Sequence, residues 1–264
     1  VQEETLQISQ DALSWLYYAV FIIYAYASSS AGRIKPQTSK TRLLTSAMTA
    51  TAVWAMVFSL SNSAPDAQTA LAIRKIGVLG WGTIYSLILH LFLVVTGKKK
   101  LLKKKWVYFA IYTPAALNLL VFLVRWNSAD YHYHIFRTSF GWTNLWVGSF
   151  WNWFHTAQFI LSSAICIVLS VHWYFNTKDN YERIQARWLT VSFSLTIVLG
   201  AMTDYITNET YDGVFPQLGI VFTMLPIMTI LYLIRKYDLP RRLPAGRNRR
   251  ATRFWTTPPA KACM

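Results

Sequence analysis

Acidic side chains are scarce in this chain: Asp and Glu number 11 in 264 residues, against 26 Lys and Arg. Cysteine is scarcer still. Cys166 falls inside an apolar stretch and Cys263 near the end, so no disulfide framework is expected and the thiols say little about compartment. No His-Glu-x-x-His occurs, and no paired aspartates lie deep in an apolar stretch, which argues against an intramembrane hydrolase. There is no Gly-rich phosphate loop, and the last apolar stretch holds no lysine for a retinal Schiff base. His132 and His134, with Asp130 or His155 as a third ligand, are weak grounds for a metal site. The expectation is no catalytic residue, no cofactor and no metal.

What the chain has in abundance is apolar length. Of its residues 54% are hydrophobic, and seven stretches stand out: Ala12 to Ser29, Leu43 to Leu60, Ala70 to Thr96, Trp106 to Val124, Val147 to Phe175, Trp188 to Ile206 and Phe215 to Ile234. Crossing ~30 Å of hydrocarbon takes about 20 helical residues, so each stretch is long enough or nearly so. The charge between them alternates. Arg33 to Arg42, Lys98 to Lys105, Lys178 to Arg187 and everything basic beyond Arg235 fall in alternate connections, leaving only Arg74, Lys75, Arg125 and Arg137 for the other side. Basic loops stay in the cytoplasm. The predicted fold class is therefore all-α, an integral membrane seven-helix bundle with its N-terminus outside and its C-terminus cytoplasmic, in the cell inner (plasma) membrane.

Seven helices leave little of the chain for a soluble domain. The net charge of +15 sits in short loops beside the membrane, which points to anionic lipid headgroups and away from nucleic acid. Glu3 and Glu4 stand where a signal peptide would carry positive charge, so the first stretch is expected to be retained. A start at Val is expected of a trimmed fragment. The longest outer connection, Trp126 to Asn144, is aromatic and carries His132, His134, Arg137 and Trp142; it is expected to cap the bundle or to form part of an interfacial aromatic belt. After Leu239, five Pro and Gly residues interrupt an Arg-rich run without apolar period. This divides the chain into a membrane domain, 1–239, and a basic tail, 240–264, expected to be disordered. No internal repeat is visible.

Polar groups inside hydrocarbon are expensive and mark candidate sites. Arg74, Trp81 and Tyr85 share one face of the third helix by their spacing. Asn152, His155, Phe159, Ser162 and Cys166 make a stripe on the fifth, with Gln158 beside it. Ser192, Thr196, Gly200 and Thr203 form a small-residue face on the sixth that ends at Asp204. The candidate ligand cavity is lined by Arg74, Trp81, Tyr85, Asn152, His155, Gln158 and Asp204, with Asp204 placed to pair with Arg74. Small-residue faces are also ordinary helix-packing surfaces in lipid. Pro114 and Pro226 are candidate kinks.

Three segments carry a resemblance. Ala72-Ile73-Arg74-Lys75-Ile76-Gly77-Val78-Leu79-Gly80, Glu182-Arg183-Ile184-Gln185-Ala186-Arg187, and the run from Asp204 through Pro216-Gln217-Leu218-Gly219 to Ile234-Arg235-Lys236-Tyr237-Asp238-Leu239 resemble the seven-helix N-terminal sensor region of bacterial histidine kinases and diguanylate cyclases. The resemblance covers about Arg42 to Leu239. It implies a membrane sensor of a signal-transduction protein, non-catalytic in itself, that moves its seventh helix against a cytoplasmic output domain or partner. It supplies no ligand. A homodimer is a further partner arrangement expected of such a receptor. The chain departs from the pattern after the last helix, where Pro240 and the Arg-rich tail take the place of a linker to a PAS, kinase or cyclase domain. The alternative class is a small multi-pass transporter or channel; the shortage of deep ionisable groups, His90 and His155 only, favours the sensor.

Overall fold

The computed structural model describes residues 2–124, 134–145, 148–206 and 216–237. In chain order these form α1 (Gln2–Gly32), α2 (Ser39–Asn62), α3 (Ala67–Ile76), α4 (Val78–Val95), α5 (Lys99–Leu102) and α6 (Lys105–Leu119). A π turn, Leu120–Val124, ends α6. The hairpin strands β1 (His134–Thr138) and β2 (Gly141–Leu145) come next. They are followed by α7 (Phe150–Asn176), α8 (Asn180–Ala201) with a π turn at Met202–Ile206, α9 (Gly219–Phe222) and α10 (Met224–Tyr237). Six helical segments among the described residues are long and apolar enough to cross a membrane, with a shorter apolar helix over Gly219–Leu233.

The segments start where local chemistry closes their ends. The Thr38 hydroxyl accepts from the Thr41 N–H while the Thr41 hydroxyl accepts from the Thr38 N–H, a reciprocal cap at α2. Asp66 caps α3, accepting from the Thr69 N–H at 2.8 Å, and that bond holds its carboxyl below the usual carboxylate range. Ser149 and Asp179 cap α7 and α8 in the same way. The third expected helix is two, α3 and α4, which meet at Gly77, and the seventh is divided at Thr223.

The helices close into a ring. α1 runs along α2, α2 packs on α4, α4 on α6 and α7, α7 on α8, α8 on α10, and α10 returns to α1 and α2. Large apolar side chains are exposed on the outer helices, as at Trp15 (70%), Phe109 (74%) and Trp188 (59%), and these face lipid. α2 contributes only Leu60 and α4 only Leu79 to that set, so these two helices form the centre. Their closeness depends on Gly80, where a Cβ would lie 2.5 Å from the Ala50 carbonyl oxygen and 2.6 Å from Trp54 Cβ. Small residues at such crossings let backbones approach where lipid removes the hydrophobic drive for association. Polar stitches join α1 to α2: the Gln10 amide donates to the Asn62 carbonyl (2.8 Å), Ser59 to the Ser14 carbonyl (2.9 Å), and the Ser28 and Thr49 hydroxyls meet at 2.8 Å.

The spans are helical, as an all-α chain requires, and the long connection between the fourth and fifth holds a two-stranded hairpin. There β1 and β2 pair antiparallel, with Thr138 opposite Gly141. Gly141 takes φ +101°, a conformation few side chains tolerate, and the Thr138 hydroxyl donates to its carbonyl at 2.9 Å. The Trp142 indole N–H donates to the Ala64 carbonyl at 2.8 Å, which seats the hairpin on the α2–α3 turn. His132 and the 240–264 tail lie outside the described residues.

Gly80→Leu is expected to lower stability by more than about 1–3 kcal/mol, since the clash is with backbone and cannot be relieved by a rotamer change. Gly82→Ala, whose Cβ would meet only Asn118 Cβ at 3.4 Å and Val78 Cγ1 at 3.8 Å, serves as the tolerated control. Thermal unfolding of both variants in detergent checks the contrast.

Candidate ligand cavity and its polar surroundings

The last span breaks where Pro226 has no N–H to offer the carbonyl of Phe222 four residues earlier, whereas α6 runs on through Pro114. The chain breaks at Thr223, between α9 and α10. The Thr196 hydroxyl of α8 lies 2.8 Å from that Phe222 oxygen and donates to it. Two tyrosines of α1 hold the broken span from the other side: Tyr24 and Thr223 hydroxyls meet at 2.7 Å, and the Tyr17 hydroxyl donates to the Gln217 carbonyl at 2.7 Å. Asp204, in the π turn that ends α8, accepts from the Gly219 N–H at 3.0 Å and from the Thr203 hydroxyl at 3.1 Å. Any side chain on Gly219 would overlap that carboxylate.

Beside this break lies a cavity of about 60 Å³. Phe159, Ser162, Ser163 and Cys166 line it from α7, and Phe193, Thr196, Ile197 and Gly200 from α8. Both sets recur at three and four residues, the spacing of one helix face. Trp54 of α2, Tyr85 and Ile88 of α4, Asp204, and Gly219, Thr223 and Pro226 of the last span complete the wall. The lining is mainly apolar with a few hydroxyls and one carboxylate. Among the described residues Cys166 is its one thiol and no basic side chain lines it.

Of the residues picked from the sequence, Tyr85 and Asp204 line this cavity. His155 and Gln158 lie on the far side of Tyr85 in a buried polar chain. The Asn118 amide of α6 donates to Gln158 Oε1 at 2.6 Å and stands 3.4 Å from His155 Nδ1. The Gln158 amide donates to the Ser86 hydroxyl (3.2 Å), which donates to the Ile111 carbonyl (2.6 Å). Trp81 packs edge-on against the His155 ring, centroids 4.7 Å apart, and Tyr85 touches the same imidazole at 5.7 Å. Asn152 sits in the first turn of α7, its N–H bonded to Ser149 Oγ at 3.3 Å. It does not border the cavity.

Arg74 is placed under the hairpin. Its guanidinium donates to the Trp142 carbonyl and to Gln217 Oε1 (3.4 Å) and stacks 4.7 Å from the Phe58 ring centroid. A smaller cavity of about 10 Å³ lies beside it. Arg74 reaches Gln217 and Asp204 reaches Gly219, so the two charges expected as a pair converge on one short segment, 216–219. Sequence reasoning passed over Trp54, Ser86 and Asn118. A polar side chain in the middle of an apolar run was the available signal for the last two.

Residues 12–240 match the family described as the N-terminal 7TM region of histidine kinase. No curated protein matches the chain.

Gln158→Met removes both ends of the link between Asn118 and Ser86 while keeping the side-chain length. The expected cost is about 1–3 kcal/mol, because buried partners lose their bonds. Adding Asn118→Leu is expected to cost less than the sum of the single changes, the mark of a coupled pair. Unfolding midpoints of the two single variants and the double variant in one detergent give the coupling.

Proposed function

The chain belongs to the family of N-terminal seven-transmembrane regions of histidine kinases, and on that premise we propose that it senses a ligand in the cavity beside its broken last span and passes the change to a cytoplasmic output. Such a region is a multi-pass membrane sensor module and is not itself a catalytic domain. The observation that carries the proposal is the shared wall: Gly219, Thr223 and Pro226 of the last span line the same cavity as the α7 and α8 faces. An occupant touching both walls biases the angle between α9 and α10. The change is a population shift between two packings of the bundle, by as much as the occupant binds one better. The break at Thr223 is the hinge, because the freed carbonyl of Phe222 already accepts from Thr196 and the last span can swing without losing a bond within its own helix.

The charge pattern supports the orientation. Lys98 to Lys105 at the α4–α6 connection and the basic run from Arg235 lie on the cytoplasmic side, against anionic headgroups, and the β hairpin faces outward. α10 then leaves the inner (plasma) membrane toward the output domain or partner. A second copy of the chain in a homodimer would bring two such helices together.

Two outcomes are expected. A membrane-impermeant thiol reagent applied to intact cells should label Ser139→Cys at the hairpin turn, and should label Lys103→Cys only after permeabilisation; the reverse pattern inverts the orientation. In a fusion of residues 1–237 to a histidine kinase core, Pro226→Ala should restore a continuous last helix and change basal autophosphorylation by at least about threefold, roughly 0.7 kcal/mol of population shift. Autophosphorylation unchanged by Pro226→Ala, Asp204→Asn and Thr196→Val alike would remove the last span from the signal path.

A further inference from the structure

We infer that a cavity at the basic end of the bundle holds the headgroup of one phospholipid that carries both a phosphate and a primary ammonium, as phosphatidylethanolamine does. The site goes beyond the sensing proposal and stands or falls without it. Its volume is about 620 Å³, against about 60 Å³ beside the last span, and falls in the ordinary range of small-molecule sites. The walls come mostly from helix ends. α2 begins there at Ser39 and α4 ends there at Val95, after which the chain turns at Gly97, whose φ of +74° suits glycine. Leu102 of α5, Tyr108 of α6, Trp173 of α7 and Glu182 of α8 complete the enclosure.

Charges of both signs line this space. Lys40 and Arg42 stand at the start of α2, a helix with no acid in its first turn. Cations there face the positive end of the helix dipole, and a bound anion would offset the repulsion. Local rules are broken in this way chiefly at functional or strained positions. The half-buried Glu182, in the first turn of α8, is steadied by the Thr177 hydroxyl, which donates to its carboxylate at 2.8 Å. His90 also lines the cavity, but its Nδ1 already lies 2.8 Å from the Tyr112 hydroxyl. Recognition of charge therefore falls to the two cations and the one carboxylate.

The ligand class follows by complementarity. A purely anionic head would pair with Lys40 and Arg42 but meet Glu182 as a like charge, and a purely cationic one would do the reverse. A head with phosphate and ammonium answers all three: the phosphate accepts from the Arg42 guanidinium and the Lys40 ammonium, and the ligand's own ammonium donates to Glu182. A choline head has no N–H to donate and matches less well. The apolar part of the wall, Leu43, Val94, Val95, Leu102 and Trp173, suits the glycerol and the first methylenes of acyl chains whose remainder stays in the bilayer. That share of the wall favours a lipid over a free phosphate ester. Basic pockets between membrane helices are recognised seats of lipid headgroups.

The test uses the full chain, delipidated in detergent, and dihexanoyl lipids that differ only in the head: phosphatidylethanolamine, phosphatidylglycerol and phosphatidylcholine. Apparent affinities are read from the rise in unfolding temperature with lipid concentration. The ethanolamine lipid is expected to bind at least about threefold more tightly than either of the others, the worth of one ion pair at a half-buried site. Glu182→Gln, which keeps an oxygen for the Thr177 hydroxyl, should cancel that preference while choline-lipid binding persists as proof that the variant folds. Arg42→Gln should weaken all of the lipids, since each carries the phosphate. A smaller preference in the unaltered chain, a preference that survives Glu182→Gln, affinities untouched by Arg42→Gln, or no binding of any lipid would each overturn the inference; the last would leave water and salt ions as the cavity's contents. Glycerophosphoethanolamine, the same head without acyl chains, separates a lipid from a soluble ester. An affinity at least about threefold below that of the lipid supports the acyl-chain contacts, and a smaller difference overturns the assignment to a lipid.

Discussion

A backbone carbonyl set free inside hydrocarbon must find a donor, and the architecture around the last span follows from how this chain meets that demand. An unsatisfied group there costs roughly several kcal/mol, enough to consume much of a membrane domain's stability. Pro226 creates the vacancy at Phe222 and Thr196 fills it. For Thr196 to reach, α8 must approach the break closely, and at Gly200 it is near enough that a Cβ would be in van der Waals contact with Gly219 Cα, at 3.6 Å. The approach in turn brings Asp204 onto the Gly219 N–H. The cavity is the space that remains where two helices meet a third at a bend.

Much of this was legible before any coordinates. The spans follow from apolar length, and the small-residue stripe Thr196, Gly200, Thr203 predicts which face of the sixth helix turns inward. Phe159, Ser162 and Cys166 likewise share a face by spacing alone, and Pro226 marks the bend. The π turns at Leu120–Val124 and Met202–Ile206 were not legible, since no residue type demands one extra residue per turn. Nor was the hairpin. Its turn residues, Ser139 and Phe140, are not the Asn-Gly or Asp-Gly pair that announces a two-residue connection, and its aromatic strands read equally well as an interfacial belt.

Trp54 shows a different kind of illegibility. On an apolar helix a tryptophan is indistinguishable from core filling, and what sets it apart is that Nε1 has no acceptor among the described residues, a property of three-dimensional surroundings. Arg74 illustrates the converse. Its position on a polar face was readable, but spacing along one helix says nothing about a distant hairpin folding over it. The partner that covers it, Trp142, is 68 residues away.

That cover has an electrical consequence. Ions in the medium screen exposed charges within about 10 Å at 0.1 M salt, but they screen buried ones far less. Arg74 is 3% exposed, lying between the Phe58 ring and the Trp142 carbonyl. Its positive charge therefore acts on the head of the last span, at Gln217, beside the Asp204 carboxylate at Gly219, as part of a field that dilute and concentrated surroundings leave nearly unchanged.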